Sequence, residues 1–348
     1  MDTNILLSLL FKIILMFQRA LLVLSLFTLL FFCLPAAAQQ PKDDSLRLRR
    51  DYMTQQAALR YPALRMATVQ METTGGTHYT SRLQGKDFLK GRIQPQSTLK
   101  ATFSLPVYTS GSQELSIISA YTLQVTTLKN TINQIPQSRV SDGTYTLQNL
   151  SLALNYKRTD SLFNKPVLWG GMLLTNFSLQ SSLARVTGLL YGMVPLKTTR
   201  TTRIFAGLLV FIDPSSTVPV IPTFSYWHKF AGSPWEISLN LPIHLYFRRP
   251  VFSKGLLSLG TELGENTLLK EVNQPPLQGG FAFKDLYMKS GFTLEYPVFR
   301  KVLIGCSGGL LYSTRYRVLD PGKSINDYII GVKRDPAPYL NVGISILR

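Results

Sequence analysis

From position 236 to 247 the chain reads Glu236-Ile237-Ser238-Leu239-Asn240-Leu241-Pro242-Ile243-His244-Leu245-Tyr246-Phe247. Ile237, Leu239, Leu241, Ile243, Leu245 and Phe247 share one parity; Glu236, Ser238, Asn240, Pro242, His244 and Tyr246 share the other. Successive side chains of a β-strand point to opposite faces, so this alternation separates an apolar face from a polar one, which the 3.6-residue period of a helix cannot do. Read as one strand, the stretch exceeds the roughly five or six residues usual in soluble sheets and is long enough to cross a bilayer at a tilt.

The same pattern recurs on both sides. Leu286, Met288, Phe292, Leu294 and Tyr296 oppose Asp285, Tyr287, Lys289, Thr293 and Glu295, and Pro297 ends the run. After a tight turn, Val302, Ile304, Cys306, Leu310, Tyr312 and Tyr316 oppose Gly305, Ser307, Gly309, Ser313, Arg315 and Arg317, making a long hairpin. Weaker alternation marks 99–107, 115–125, 150–156 and 340–346, and further strands fit 64–73, 166–179, 185–195, 204–212, 218–229 and 256–263. The series predicts an all-β fold, an antiparallel transmembrane β-barrel.

These stretches number thirteen, whereas single-chain bacterial barrels have an even number of strands with both ends on the periplasmic side. Counting from both ends makes 109–113, 248–254 and 298–300 periplasmic turns, and 130–144, 264–280 and 320–338 outer loops. The two counts collide between 157 and 218, where one strand is expected to be merged or invented. The expectation is therefore about twelve strands, within ten to fourteen.

Tyr108, Tyr156, Trp169, Tyr226, Trp227, Trp235, Tyr246, Tyr296 and Tyr339 lie near strand ends. Amphipathic rings there suit the two headgroup girdles of a membrane barrel. The polar parity supplies the candidate lumen charges: Lys100, Lys157, Glu236, His244, Glu262, Asp285, Lys289, Glu295, Arg315 and Arg317.

At the N-terminus Arg19 precedes an apolar run that ends in Ala36-Ala37-Ala38, the order of a cleaved signal peptide over 1–38. Met16 is an alternative translation start that leaves a signal peptide of ordinary length. Cys33 follows Phe31 and Phe32, not the small residues a lipidation signal requires, and Cys306 on an alternating apolar face reads as a small apolar side chain. Residues 39–62 are polar and basic, with helix-starting acids at Asp43 and Asp44 and a stop at Pro62, and read as a periplasmic lead-in. The barrel is then expected over 63–348. Beyond residue 38 no apolar run approaches the roughly 18 to 20 residues of a spanning helix, which excludes a helical inner-membrane protein.

Several local features resemble the uncharacterised outer-membrane β-barrel domains of the Bacteroidota: the Tyr61-Pro62-Ala63-Leu64-Arg65 entry, the Ile221-Pro222-Thr223-Phe224-Ser225-Tyr226 segment and the closing Tyr339-Leu340-Asn341-Val342-Gly343-Ile344-Ser345. The resemblance covers nearly all of the exported chain. It implies a Gram-negative outer-membrane location and carries no catalytic residues. A departure is the ending Ile346-Leu347-Arg348, where many such barrels present a terminal aromatic residue to the assembly machinery.

Chemistry-bearing motifs are scarce. Three histidines, His78, His228 and His244, show no ligand spacing, and neither a Cys cluster nor an Asp-rich calcium loop is present, so no metal and no cofactor are predicted. His78 with Ser81 in a glycine-rich outer loop is the sole candidate for a lipid-modifying pair. It lacks an orienting third group, and the chain is read as not an enzyme. A net charge of +18 seeks anions. For an exported barrel these are outer-membrane lipids and lipopolysaccharide, met by Arg82, Lys86, Lys90 and Arg92 or by Lys197, Arg200 and Arg203. Nucleic acid is not an expected partner; the barrel-assembly machinery is. The leading functional expectation is a passive, porin-like channel for small anionic solutes selected by Lys289, Arg315 and Arg317. The alternative is a non-conducting barrel that serves envelope structure.

Overall fold

The computed structural model of the protein describes residues 44–135, 140–162, 165–216 and 218–347; the predicted signal peptide lies outside them. Residues 50–348 make one compact unit. Helix α1 (Asp44–Arg60) stops ahead of Pro62, whose ring cannot continue it. A 3-10 turn (Pro62–Leu64) leads into the sheet.

The first strands are β1 (Arg65–Thr74), β2 (Thr77–Leu83), β3 (Lys86–Ile93), β4 (Gln96–Ser110), β5 (Gln113–Asn133) and β6 (Gly143–Leu162). Then come β7 (Lys165–Ser178), β8 (Ala184–Thr198), β9 (Thr202–Ile212), β10 (Val220–Lys229), β11 (Glu236–Leu241) and β12 (His244–Val251). The last are β13 (Gly255–Gln274), β14 (Leu277–Phe299), β15 (Val302–Leu319), β16 (Ile330–Arg334) and β17 (Ala337–Leu347).

Three pairs of segments are halves of bent strands: β1 and β2 across Gly75-Gly76, β3 and β4 across Gln94-Pro95, and β16 and β17 across Asp335-Pro336. Backbone hydrogen bonds run through the bends, from Gly75 N to Pro338 O at 2.7 Å and from Gln94 N to Thr127 O at 2.9 Å. The 17 segments thus form a closed antiparallel barrel of fourteen strands, sealed where β17 pairs with β1. The lower ring runs through β1, β4 and β17. Above the bends β2, β3 and β16 replace them.

Fourteen is the upper bound of the expected range, and the strand that accounts for it is not between 157 and 218. The stretch 236–247 is a hairpin, closed by Ile243 N donating to Asn240 O at 2.6 Å. Asn240 pairs with His244, so parity is the same on both sides of the turn and alternation alone does not reveal the reversal. The segment 264–280, expected as an outer loop, is the paired upper part of β13 and β14.

The lower wall carries an apolar belt. Met71, Leu105, Ile117, Leu173, Leu190, Leu208, Leu259, Phe292, Ile304 and Val342 are all exposed on the outward face. Such a contiguous apolar exterior is stable against lipid and not against water. Among the described residues no helix is long and apolar enough to cross a membrane; the strands cross instead. Tyr108, Trp169 and Tyr296 are exposed outward near the end where β1 starts and β17 finishes, the periplasmic end of such barrels. Tyr246 and Tyr339, expected in a girdle, face the lumen, because they share parity with Glu236 and Ser345.

Candidate functional site: a partitioned lumen

At the periplasmic mouth, the end of α1 enters the barrel. Ala58 and Leu59 are buried against Leu256, Leu303 and Leu347 at the bottoms of β13, β15 and β17. Gln55 Nε2 donates to the Phe299 and Arg300 carbonyls in the β14–β15 turn at 3.2 and 2.8 Å. Arg60 grips Glu236 with two parallel bonds, Nε to Oε1 at 2.9 Å and a second nitrogen to Oε2 at 3.2 Å. Arg65 adds an ion pair to Glu295 at 2.7 Å and donates to Ala58 O. The last turns of the expected lead-in, Gln55 to Arg60, therefore plug this mouth. Two-bond Arg–carboxylate pairing in a nearly dry site is what fixes it in orientation.

Above the plug lies a polar chamber of about 670 Å³, lined among others by Gln70, Ser116, Asn155, Lys157, Tyr191, Tyr246, Arg248, Glu262 and Glu295. Its charges face a counter-charge, a hydroxyl or an aromatic ring. Lys157 meets Glu114 at 3.0 Å, Tyr246 donates to Glu262 at 2.6 Å, and Arg248 lies over the Tyr246 ring at 5.2 Å. His244 stacks on Tyr246 at 4.8 Å and shares a 3.3 Å hydrogen bond with Ser238.

Next comes a charged layer. Lys289 is bonded to Glu72 and sits 5.0 and 5.2 Å from the rings of Tyr287 and Tyr339. Lys100 donates to Asn266 at 2.9 Å and lies 6.0 Å from the Tyr287 ring. Ser313 donates to Asp285, and Arg334 approaches the same carboxylate at 3.8 Å.

Beyond this layer is a second chamber, of about 470 Å³ and chiefly apolar, walled by Tyr79, Phe88, Leu89, Ile93, Leu128, Leu147, Leu277, Phe283, Val318 and Ile330. Its wall comprises β16, β2, β3, β5 and β6 on one side and β13, β14 and β15 on the other. The gap between β6 and β13 is bridged because the β11–β12 hairpin is short, 6 and 8 residues beside the 20 and 23 of β13 and β14. Without a neighbour above Glu262, the tall hairpin leans across the barrel. Lys270 reaches Thr146 O on β6 at 3.2 Å and lies over the Tyr145 ring at 5.7 Å.

The other face of that hairpin rests on outer loops. Leu183 packs on Leu269, Ala282 and Leu319. Lys284 donates to Ser215 O at 3.0 Å and meets Glu265 at 3.0 Å, while Arg185 is bonded to Asp213 and Ser215. A lysine and an arginine this deeply buried are sustained by that network. On the outer loop between β5 and β6, Asp142 accepts from Thr131 N at 2.8 Å and Asn130 N at 2.9 Å, and these bonds hold its carboxyl below the usual range.

Of the sequence-derived candidates, Lys157, Glu236, His244, Glu262 and Glu295 lie in or below the polar chamber, and Lys100, Asp285 and Lys289 lie in the charged layer. Arg315 and Arg317 do not join them. An extra residue in β15, between the pairs Tyr287–Ser313 and Leu286–Arg315, inverts parity. Tyr316 and Val318 then face inward, while Arg317 stacks at 3.9 Å on Tyr328 outside the chambers. His78 and Ser81 also separate. Both lie on β2, not in a loop, with His78 exposed and Ser81 turned inward, exchanging bonds with Leu89 at 3.1 and 3.3 Å. Residues missed by the sequence reading include Glu72, Arg60 and Lys270; each is an isolated charge in a run of mixed polarity, so only the folded register reveals its partner.

Closed ring, apolar belt and polar lumen together define a membrane-spanning β-barrel of the outer-membrane type. No protein-family model and no curated protein matches the chain. Among solved structures, it is similar to the transport unit of the autotransporter AIDA-I from Escherichia coli, at 13% identity and a TM-score of 0.35, covering 81% of this chain and 90% of that one. It is also similar to the Pseudomonas putida toluene transporter TodX, at 8% identity, TM-score 0.33 and coverage of 81% and 90%. The Escherichia coli outer membrane protease OmpT gives 10%, 0.28, 81% and 96%. No residue role passes from them to this chain.

Proposed function

We propose that this chain is an outer-membrane channel for small solutes, exported through a cleaved signal peptide and held shut at rest by α1 and the β13–β14 hairpin. The observation that carries the reading is the stacking of two cavities, about 470 and 670 Å³, along the lumen with only a layer of side chains between them. A barrel serving solely as envelope structure gains stability by packing its interior to native density and has no use for such chambers. Flexible charged side chains such as Lys100 and Lys289 can part where a packed core cannot. Because each lumen cation faces a carboxylate or a ring, and Arg315 and Arg317 stand outside, the path suits neutral or amphiphilic solutes better than bare anions. We also infer membership of the Bacteroidota barrel family from the Tyr61–Arg65 and Ile221–Tyr226 motifs.

The non-conducting alternative draws on the plug itself, which occupies the lower mouth. Planar-bilayer recording separates the two: the channel reading expects brief, rare steps from the full chain and frequent ones once the plug is loosened. Silence from folded protein in both cases would favour the structural barrel.

A further inference from the structure

The outer chamber has a chemistry that the channel reading does not require. Its walls are chiefly aromatic and aliphatic, with polar residues such as Gln124, Thr126 and Glu271 also on the lining, and they are contributed by strands from both sides of the tilted hairpin. Water is poorly held in such a space, because a buried water needs two to four polar partners and an apolar wall offers few. The volume of about 470 Å³ falls in the range of small-molecule sites, which pair an apolar body with a few placed polar groups. Those groups are present. Arg334 lines the chamber floor, stacked on Tyr316 at 4.1 Å, and its Nε is buried with no hydrogen-bond partner. Among the described residues its one ion pair, to Asp285, is long at 3.8 Å. Lys270 lines the wall and, among the described residues, is met by one carbonyl and one ring and by no carboxylate.

We propose that this chamber binds a compact apolar molecule bearing one acceptor or anionic group. The body lies against Phe88, Leu147, Leu277, Phe283 and Val318, and the polar group is received by Arg334. A buried guanidinium nitrogen left without a partner regains a hydrogen bond when that group arrives. Binding of this kind does not depend on conduction: a saturable site in a barrel silent in bilayers would retain this inference and refute the channel.

The test uses the full chain and anilinonaphthalene sulfonate, an aromatic body with a single anionic group. Native mass spectrometry of the detergent-released protein is expected to show one bound probe, with fluorescence titration saturating accordingly. Val318→Trp and Leu147→Phe fill the chamber from opposite walls and should weaken binding at least tenfold; Arg334→Gln should weaken it severalfold; Arg82→Gln, on the exterior, should not change it. Retained heat-modifiable gel mobility certifies folding of each variant. No bound probe on the wild-type chain, several equivalent ones, or undiminished binding in folded filling variants would overturn the assignment. Should neither filling variant fold, the wild-type stoichiometry and the Arg334→Gln titration decide.

Discussion

Lys270 on β13 donates a hydrogen bond to the carbonyl of Thr146 on β6 across 3.2 Å, although six strands separate β6 from β13 in the sheet. That contact exists because the intervening β11–β12 hairpin is too short to support its tall neighbours. The upper part of the wall is consequently joined across the lumen by its own strands.

Removing this bridge should loosen the hairpin without unfolding the barrel. A hydrogen bond from a charged donor contributes roughly 1.5 to 3 kcal/mol. Lys270→Met is therefore expected to speed amide exchange in the upper parts of β13 and β14 by about tenfold or more, leaving the lower β14–β15 ladder protected. Hydrogen–deuterium exchange of the reconstituted protein reads this directly, and unchanged exchange would remove Lys270 from the closing contact.

Glu236 is 2% exposed and has Arg60 as its two-bond partner. Leaving one member of such a pair alone costs about 3 kcal/mol or more. Arg60→Ala should release α1, seen as proteolytic cleavage near residues 52–60 in folded protein, and Glu236→Gln introduced into that background should restore part of the thermal stability. Equal protease resistance in wild type and Arg60→Ala would contradict the plug.

Arg315→Glu and Arg317→Glu together should leave ion selectivity unaltered, because the β15 bulge turns both away from the lumen. Lys289→Gln should alter it, since Glu72 then faces the path uncompensated. Reversal potentials in a salt gradient distinguish these outcomes.

The Asp142 carboxyl is held low by the Thr131 and Asn130 amides. A depressed carboxylate contributes order that is complete above the ordinary carboxylate range and is lost as pH falls through its lowered value. Amide protection at Asn130 and Thr131 should therefore persist through mildly acidic pH and decline only below the usual Asp range. Asp142→Asn should remove most of that protection at neutral pH. The site is exposed, so global stability should barely change.

Alternation was readable where lipid and lumen impose opposite demands on the two faces, as in 285–296, where the apolar and charged sets seen in the sequence are those of β14. It failed in three places for distinct reasons. Across Pro242 the turn conserves parity, so two short strands read as one. At residues 313–315 a single added residue inverts every later side chain. In the upper hairpin the apolar face changes sides, because Phe283 and its register partner Leu268 lie on the chamber side while Glu265 and Lys284 face the outer loops, and a membrane pattern is absent there. The plug left no periodic signal: Ala58 and Leu59 sit between Ala57 and Arg60, and their burial depends on strand bottoms far along the chain.

Single-channel recording of the refolded chain without its first 38 residues, compared with its Arg60→Glu variant, tests whether α1 occludes the channel. An occluded channel predicts near-silent wild type and frequent, well-defined conductance steps from Arg60→Glu, whose new carboxylate repels Glu236 and expels the plug. Folded protein that stays silent in both forms would contradict it.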